Sequence, residues 1–229
     1  MSKNGMQAVA AAIRALPIEQ LPSGSQAGAI PFVTISRQVG AGGGTFGQML
    51  VDELNRRNNE ELKWTYYDKL LVEKVAADHN LSKHLVASLE EEPTYLLNDL
   101  VIGLTHTATA ELIVFRRTAA TIRALARHGR SVILGRGGAY LTQDIVGGVH
   151  LQLIAPIQDR IDNIQAFVGL SADKAAAYVN QHDNAREEFL RRYFSKNRRS
   201  PLAFHATFNT EKLTGDQMLE ATLALLPNR

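Results

Sequence analysis

Short apolar runs alternate with longer amphipathic stretches along most of this chain. Mostly apolar runs predict strands at 31–36, 64–67, 131–134, 149–154 and 204–208. Stretches in which apolar residues recur every three or four positions predict helices at 45–57, 69–78, 82–91, 94–106, 111–128, 156–167, 171–194 and 214–226. Strands that alternate with helices are typical of a parallel sheet covered by helices on both faces, so the predicted fold class is α/β.

Distinctive polar motifs lie at the ends of four of these strands. In a parallel sheet the carboxyl ends of the strands share one edge, and ligands bind beyond that edge. The motifs are Ser36-Arg37, Asp68, Gly135-Arg136 and Asn209-Thr210. Their common position predicts a ligand site at this edge of the sheet.

The most informative of these motifs, Ser36-Arg37, lies in the glycine-rich stretch TISRQVGAGGGTFG, from Thr34 to Gly47. A strand, a glycine-rich loop and a helix in that order form a phosphate cradle, because glycines let backbone N–H groups converge on an anion and the helix N-terminus adds partial positive charge. The alternative is a tight strand-to-helix turn that holds no ligand. The candidate nucleotide-binding residues are Gly40, Ala41, Gly42, Gly43, Gly44 and Thr45.

The loop departs from the P-loop pattern G-x-x-x-x-G-K-[ST]. When Gly42 is aligned with the last loop glycine, Arg37 stands at the first glycine, Gly43 replaces the lysine and Gly44 replaces the Ser/Thr. Thr45 follows one residue later and is the candidate for offering a hydroxyl toward a magnesium-bound phosphate. Loss of the lysine removes positive charge near the transferring phosphate, where charged donors stabilise the transition state strongly.

Other cations could replace that lysine. Arg37 is adjacent to the loop, and Lys69 follows the second predicted strand. Arg191 and Arg192 begin a basic cluster that continues with Lys196, Arg198 and Arg199. Such a cluster suits either phosphate groups or a solvated helix face.

Three further motifs each have a functional and a structural interpretation. Arg136, between two glycines, could grip a phosphate with both guanidinium branches, or it could be a surface arginine in a turn. Asp183 and Arg186 share a helix face and could recognise a base and its phosphate, or form an intrahelical ion pair. Asp68 could orient a substrate hydroxyl or a metal-bound water, or cap the next helix.

Composition narrows the function classes. The 229 residues carry a formal net charge of +2, which gives no support to generic nucleic-acid binding. The chain has no cysteine, which excludes disulfides, and its seven histidines show no metal-ligand spacing. No run approaches the ~20 apolar residues that span a bilayer. We therefore expect a cytoplasmic protein without nucleic-acid or membrane partners. Separately, we expect residues 1–29 to form a short helix at 6–16 followed by a Pro/Gly/Ser-rich linker.

The chain carries four segments in the order SRQVGAGGGTFG, YYDK, ILGRGGAYL and HLQLIAP. These segments resemble the cytidylate kinase-like family, relatives of bacterial cytidylate kinase among the P-loop nucleoside monophosphate kinases. DKAAAYVNQHDNAREEFLRRYF looks like the lid-region helix of the family, and FHATFNTEKLT looks like its last strand and the following turn. The resemblance runs from about Ile30 to the C-terminus.

The resemblance implies a P-loop NTPase-type three-layer fold over 30–229, with a five-stranded parallel sheet. A helical substrate-binding insertion would lie at about 69–110 and a lid at about 157–200. ATP and Mg²⁺ are the implied cofactors, and a nucleotide and a small-molecule acceptor are the implied partners.

The resemblance also implies roles for single residues. The loop from Gly40 to Thr45 would hold the phosphates of ATP, and Arg136 would contact the monophosphate. Asp183 and Arg186 would take part in nucleotide recognition, and Arg191 and Arg192 would lie in or near the lid. From the residues and the resemblance together, the candidate acceptor-binding residues are Asp68, Arg136, Asp183 and Arg186, and the candidate catalytic cations are Arg37, Arg136, Arg191 and Arg192. Cytidylate kinases carry lysine where this chain has Gly43, and cytidylate kinase-like proteins usually carry arginine where it has Gly44.

Three functions are consistent with these residues. The leading hypothesis is a phosphotransferase that moves the γ-phosphoryl group of ATP to a nucleoside monophosphate, with CMP or dCMP as the first candidates. The second is a nucleotide-binding regulatory protein with little or no catalysis, which the lysine-free loop favours. The third is a kinase for a different small-molecule acceptor, with specificity in the segment 95–106.

Overall fold

The computed structural model describes residues 30–58, 62–70, 72, 110–135, 137–194 and 201–227. Five strands and six α-helices are formed by these residues, together with a 3₁₀ turn at Pro201–Ala203. The strands are β1 (Phe32–Arg37), β2 (Thr65–Tyr67), β3 (Ser131–Leu134), β4 (Gly148–Ile154) and β5 (Ala206–Asn209). The helices are α1 (Gly43–Arg57), α2 (Ala110–His128), α3 (Gly138–Leu141), α4 (Ile157–Val168), α5 (Ala172–Phe194) and α6 (Gly215–Leu225).

All five strands belong to one parallel sheet in the order β2-β3-β1-β4-β5. β1 is central, and its residue Ile35 lies opposite Leu134 of β3 and Leu151 of β4. Because β1 and β3 are buried on both faces, their sequences are nearly continuous apolar runs rather than alternating ones. The predicted α/β fold with a five-stranded parallel sheet is therefore confirmed.

Side chains of successive strand residues enter two different cores. Val33 and Ile35 pack with Phe46 and Leu50 of α1, in a cluster that also includes Met218 of α6. On the opposite face, residues of α2 and α5 cover the sheet, with Ile133, Tyr140, Leu112, Phe115, Ile122 and Phe194 in one cluster. Helices thus cover both faces, as the sequence pattern predicts.

The element boundaries differ from the prediction in ways that bear on the site. α1 begins at Gly43 rather than Thr45, so both Gly43 and Gly44 belong to its first turn. β1 extends to Arg37, which makes this arginine the last residue of the central strand. The four-residue helix α3 after Gly137 was not predicted, because a helix this short has too few positions to show a periodicity.

Several predicted features lie outside the described residues. They are the N-terminal helix and linker at 1–29, most of the helical insertion at 69–110, the arginine at position 136 and the basic residues at 195–200. Within the described ranges, no helix is both long and apolar enough to cross a membrane.

Candidate active site

The glycine loop joins β1 to α1 in a conformation that depends on glycine. Gly40 and Gly42 have φ angles of 79° and 71°, in the left-handed region that only glycine adopts readily. Gly42 is the N-cap of α1 and has no side chain to bond the first N–H groups of the helix, and the first turn contains no acidic residue. The N-terminus of α1 therefore presents backbone N–H groups and the positive end of the helix dipole to a ligand.

Helix α4 holds the outer side of this loop. The buried side chain of Arg160 donates from Nη1 to the carbonyl of Val39 at 3.4 Å and from Nε to the carbonyl of Ala155 at 3.1 Å. Asn163 donates from Nδ2 to the carbonyl of Gly40 at 2.9 Å. A Cβ atom on Gly40 would overlap the backbone carbonyl oxygen of Arg160, so the loop and α4 can approach this closely only with glycine here.

Helix α5 holds the same loop through Asp183. One carboxylate oxygen accepts the backbone N–H of Val39 at 3.0 Å, and the other accepts from Arg160 Nη1 at 2.5 Å. Three residues on, Arg186 Nη1 lies 3.5 Å from the backbone carbonyl of Arg37 and 3.9 Å from Asp183. Because both Asp183 oxygens already bind protein groups, this carboxylate fixes the loop in position.

Arg37 lies across the start of α1 and reaches the neighbouring strand. A Cβ atom on Gly43 would lie 2.9 Å from Arg37 Cγ and 3.2 Å from its Cβ. A Cβ atom on Gly135, the residue after β3, would overlap Arg37 Nη1. The arginine stem therefore crosses the position where a P-loop lysine would stand, and the guanidinium lies at the ends of β1 and β3. Two glycines make room for it.

Tyr66 and Asp68, at the end of β2, complete this side of the site. The Tyr66 ring packs against Gly47 of α1, and its hydroxyl is near Gly44. Partial burial, with a smaller contribution from the negative charge of Asp68, raises the pKa of Tyr66 to about 12, and the positive charge of Arg37 opposes the rise. The hydroxyl is therefore protonated at neutral pH and lies in the fields of both charged groups.

The structure brings some of the predicted site residues together and not others. Arg37, the loop, Asp68 and Arg186 lie around the carboxyl ends of β1, β2 and β3, and Thr45 is exposed in the first turn of α1. Arg192 forms a surface ion pair with Glu111 at 2.7 Å. Since Arg192 is nine positions after Asp183, or two and a half helical turns, it faces away from the loop-facing side of α5.

Position 136 lies outside the described residues, although Gly135 and Gly137 on either side of it are described. Arg191 is exposed near the end of α5, and Lys69 is exposed after β2. Among the described residues, no group of three or more acidic or histidine side chains is placed to hold a metal ion.

Sequence reasoning missed three residues that contact the loop region: Arg160, Asn163 and Tyr66. The first two carried no signal, because a single Arg or Asn on an amphipathic helix is usually solvated. Tyr66 had a usable signal, since it lies two residues before Asp68 on a strand that ends at the site edge. Its contact with Gly47 also explains a glycine in the interior of α1, where glycine costs ~0.5–1 kcal/mol relative to alanine.

Comparison with known proteins identifies a family and a fold. Residues 32–212 match the cytidylate kinase-like family. Uronate isomerase of Corynebacterium glutamicum is 30% identical over 89 residues, which are 39% of this chain and only 17% of that protein's length.

Two solved structures match over most of this chain. An uncharacterized protein from Eubacterium ventriosum has a TM-score of 0.67 at 16% identity, over 86% of this chain and 97% of that one. A shikimate kinase from Bacteroides thetaiotaomicron has a TM-score of 0.45 at 13% identity, over 85% of this chain and 99% of that one. The likeness to the Eubacterium ventriosum protein shows a shared fold.

Proposed function

The chain belongs to the cytidylate kinase-like family, and we propose that it is a phosphotransferase that moves the γ-phosphoryl group of ATP to a nucleoside monophosphate, with CMP or dCMP as the first candidates. The observation that carries the proposal is the position of Arg37. Its stem crosses Gly43 and its guanidinium reaches Gly135, so a fixed cation stands beside the N-terminus of α1 although the loop has no lysine.

The donor phosphates would be held by the loop from Gly40 to Thr45. The open N-terminus of α1 and the left-handed Gly42 leave backbone N–H groups available to an anion. Thr45, exposed in the first turn, would offer its hydroxyl to Mg²⁺. Mg-ATP supplies the γ-phosphoryl group and a divalent charge, and the chain supplies position and further charge neutralisation.

Arg37 would neutralise the charge that develops on the transferring group. A guanidinium is always charged and offers several N–H donors in one plane, which suits phosphate oxygens. Its stem packs on α1, its Nη1 lies against Gly135 and the residue as a whole is half-buried, so it is held in place before a ligand arrives. Electrostatic stabilisation of this kind depends on such preorganisation.

The acceptor would approach from the side where β2 and β3 end. Asp68 follows β2, and Arg136 follows Gly135 after β3. Arg186, whose guanidinium lies against the loop backbone, would contribute charge between donor and acceptor. We assign Asp183 to holding the loop, because its two oxygens accept hydrogen bonds from Val39 and Arg160. Arg191 is exposed near the C-terminal end of α5, so its side chain would have to extend from that end to contact a bound phosphate.

A nucleotide-binding regulatory protein is the second candidate. The observation that favours it is Gly43, since most P-loops use a lysine at this position for the transferring phosphate. The two functions differ in turnover: a regulatory protein binds ATP without releasing ADP when an acceptor is added.

The experiment is ADP release from Mg-ATP with each common nucleoside monophosphate supplied in turn. We expect turnover that depends on CMP or dCMP. A sample that binds ATP but shows no stimulation by any nucleoside monophosphate would contradict the proposal and favour the regulatory function.

A pair of glycine variants tests whether turnover depends on this loop. Gly40→Ala should abolish ATP binding and turnover, because the added Cβ would overlap the backbone of Arg160. Gly169→Ala is the matched control, since Gly169 also has a positive φ of 76° but no atom lies within 4 Å of the added Cβ. The control should lose ~1 kcal/mol of stability through backbone strain and keep its turnover.

A further inference from the structure

The side chain of Tyr66 packs on the first turns of α1. A Cβ atom on Gly47 would lie 2.5 Å from Tyr66 Cε2, and a Cβ atom on Gly44 would lie 3.7 Å from its hydroxyl. Gly44 and Gly47 are three residues apart, so they lie on the same face of the helix. Because neither glycine has a side chain, the Tyr66 ring packs directly on the helix backbone. The Tyr66 hydroxyl therefore lies at the N-terminal end of α1.

The surroundings of the hydroxyl suit a hydrogen-bond donor to an anion. Burial raises the pKa of Tyr66, so the phenol keeps its proton at all physiological pH values. Arg37 is close enough to exert a charge effect on the phenol, and the same arginine stem packs on Gly43 in the same helical turn as Gly44. The tyrosine hydroxyl and the arginine therefore reach the N-terminus of α1 from two different strands.

We propose that the Tyr66 hydroxyl donates a hydrogen bond to a phosphate oxygen of the nucleotide held at the N-terminus of α1, beside the Arg37 guanidinium. This inference rests on the proposed function and adds a phosphate-binding residue to it. A usual P-loop carries its cation and its hydroxyl on the loop and first helical turn. Here β1 supplies the cation, β2 supplies a hydroxyl in addition to that of Thr45, and the glycines at 43, 44 and 47 accommodate the two side chains.

The test is the affinity of Tyr66→Phe for ATP and for inorganic tripolyphosphate, measured by calorimetry. Phenylalanine keeps the ring on Gly47 and removes only the hydroxyl. Loss of a hydrogen bond to a charged group should weaken binding of both ligands by about 10- to 100-fold, with an unchanged melting temperature. Binding of tripolyphosphate isolates the phosphate contact from contacts to the base and sugar.

Tyr67→Phe is the matched control. Tyr67 is the next residue of β2 and its side chain enters the opposite core, so its hydroxyl is on the other face of the sheet. This variant should bind both ligands as the wild-type protein does. Gly47→Ala is a second probe, because its added Cβ would push the Tyr66 ring aside and should also weaken tripolyphosphate binding.

The outcomes separate this inference from the proposed function. If the wild-type protein binds ATP and neither Tyr66→Phe nor Gly47→Ala changes that affinity, the role of Tyr66 is overturned. The phosphotransferase proposal then still stands. Failure of the wild-type protein to bind either ATP or tripolyphosphate would overturn the proposed function itself.

Discussion

The carboxylate of Asp183 accepts the backbone N–H of Val39 over 3.0 Å, although the two residues are 144 positions apart in the chain. The same carboxylate binds the buried guanidinium of Arg160, which also reaches the carbonyl of Val39. The Asp183–Arg160 ion pair therefore binds both the backbone N–H and the backbone carbonyl of Val39, at the start of the glycine loop. The middle of α5 is thereby tied directly to the proposed donor site.

The first prediction is that Asp183→Asn lowers the free energy of unfolding and loosens the glycine loop. The amide has one acceptor oxygen and no charge, so Arg160 is left buried without its counter-charge. Breaking a buried ion pair in this way should lower the free energy of unfolding by about 2–4 kcal/mol. Because the single amide oxygen cannot replace both carboxylate contacts, to Val39 and to Arg160, the loop is held less firmly and the KM for ATP should rise as well. Urea unfolding and steady-state kinetics measure the two effects.

Asp162→Asn is the control for Asp183→Asn. Asp162 is an exposed carboxylate on α4 that accepts a hydrogen bond from Gln158. Its substitution should change stability by less than about 0.5 kcal/mol. Equal effects of the two substitutions would contradict the loop-holding role of Asp183.

A second prediction concerns the charge of Arg37. Arg37→Met keeps much of the stem that packs on Gly43 but removes the guanidinium. If Arg37 supplies the charge that a P-loop lysine usually supplies, kcat should fall by about 100- to 1000-fold while the melting temperature changes little. Arg56→Met, which removes an exposed arginine at the end of α1, is the control and should keep kcat. An unchanged kcat in Arg37→Met would remove Arg37 from the reaction.

The sheet could be predicted from the sequence because it depends on local patterns. Each strand is a short apolar run, and each run enters a core that is buried on one or both faces. The glycine loop could be predicted for the same reason, since its unusual residues are contiguous. The site edge followed from topology, because the carboxyl ends of parallel strands lie together.

The contacts that organise the loop could not be predicted, because they join residues far apart in the chain. A sequence gives Asp183 and Arg186 as a pair on a helix, but not that this helix faces Val39. Gly43 is the clearest case. In the sequence, Gly43 stands where a P-loop has its lysine. In the structure, its lack of a side chain leaves room for the stem of Arg37.

The third prediction concerns the buried histidine in β4. His150 is 4% exposed, its Nδ1 lies 2.9 Å from Thr34 Oγ1, and its backbone N–H donates to His205 Nδ1 at 3.0 Å. Burial, with a smaller contribution from the nearby His205, lowers the pKa of His150 to about 4. The folded protein therefore keeps this ring neutral at pH values where the unfolded chain, with a pKa near 6.5, already binds a proton.

Stability should consequently decrease as the pH falls from about 6.5 to about 4, because the unfolded state binds more protons in that range. Between pH 7.5 and pH 4.5 this group should account for about 2–3 kcal/mol of the lost free energy of unfolding. Urea unfolding of wild-type protein and His150→Gln at both pH values isolates the contribution, since carboxylates titrate in both proteins. The same loss in both would contradict the prediction.

The last prediction tests whether Arg37 and a P-loop lysine are alternatives for one space. Gly43→Lys restores the usual P-loop residue, but its Cβ would lie 2.9 Å from Arg37 Cγ and would displace the arginine. We therefore expect Gly43→Lys alone to lower kcat/KM rather than raise it. Arg37→Ala alone should lower it by about 100- to 1000-fold, since the charge is lost.

The double variant Arg37→Ala, Gly43→Lys should recover at least about tenfold over Arg37→Ala, because the lysine then enters the vacated space. Interacting neighbours give such non-additive effects, whereas independent sites give additive ones. Gly44→Lys in the Arg37→Ala background is the control: it adds the same charge one residue later, on the face of α1 that meets Tyr66, and should not recover activity. If the kcat/KM losses of the two single variants instead add in the double variant, Arg37 does not replace the P-loop lysine. The presence of glycine at position 43 then does not depend on Arg37.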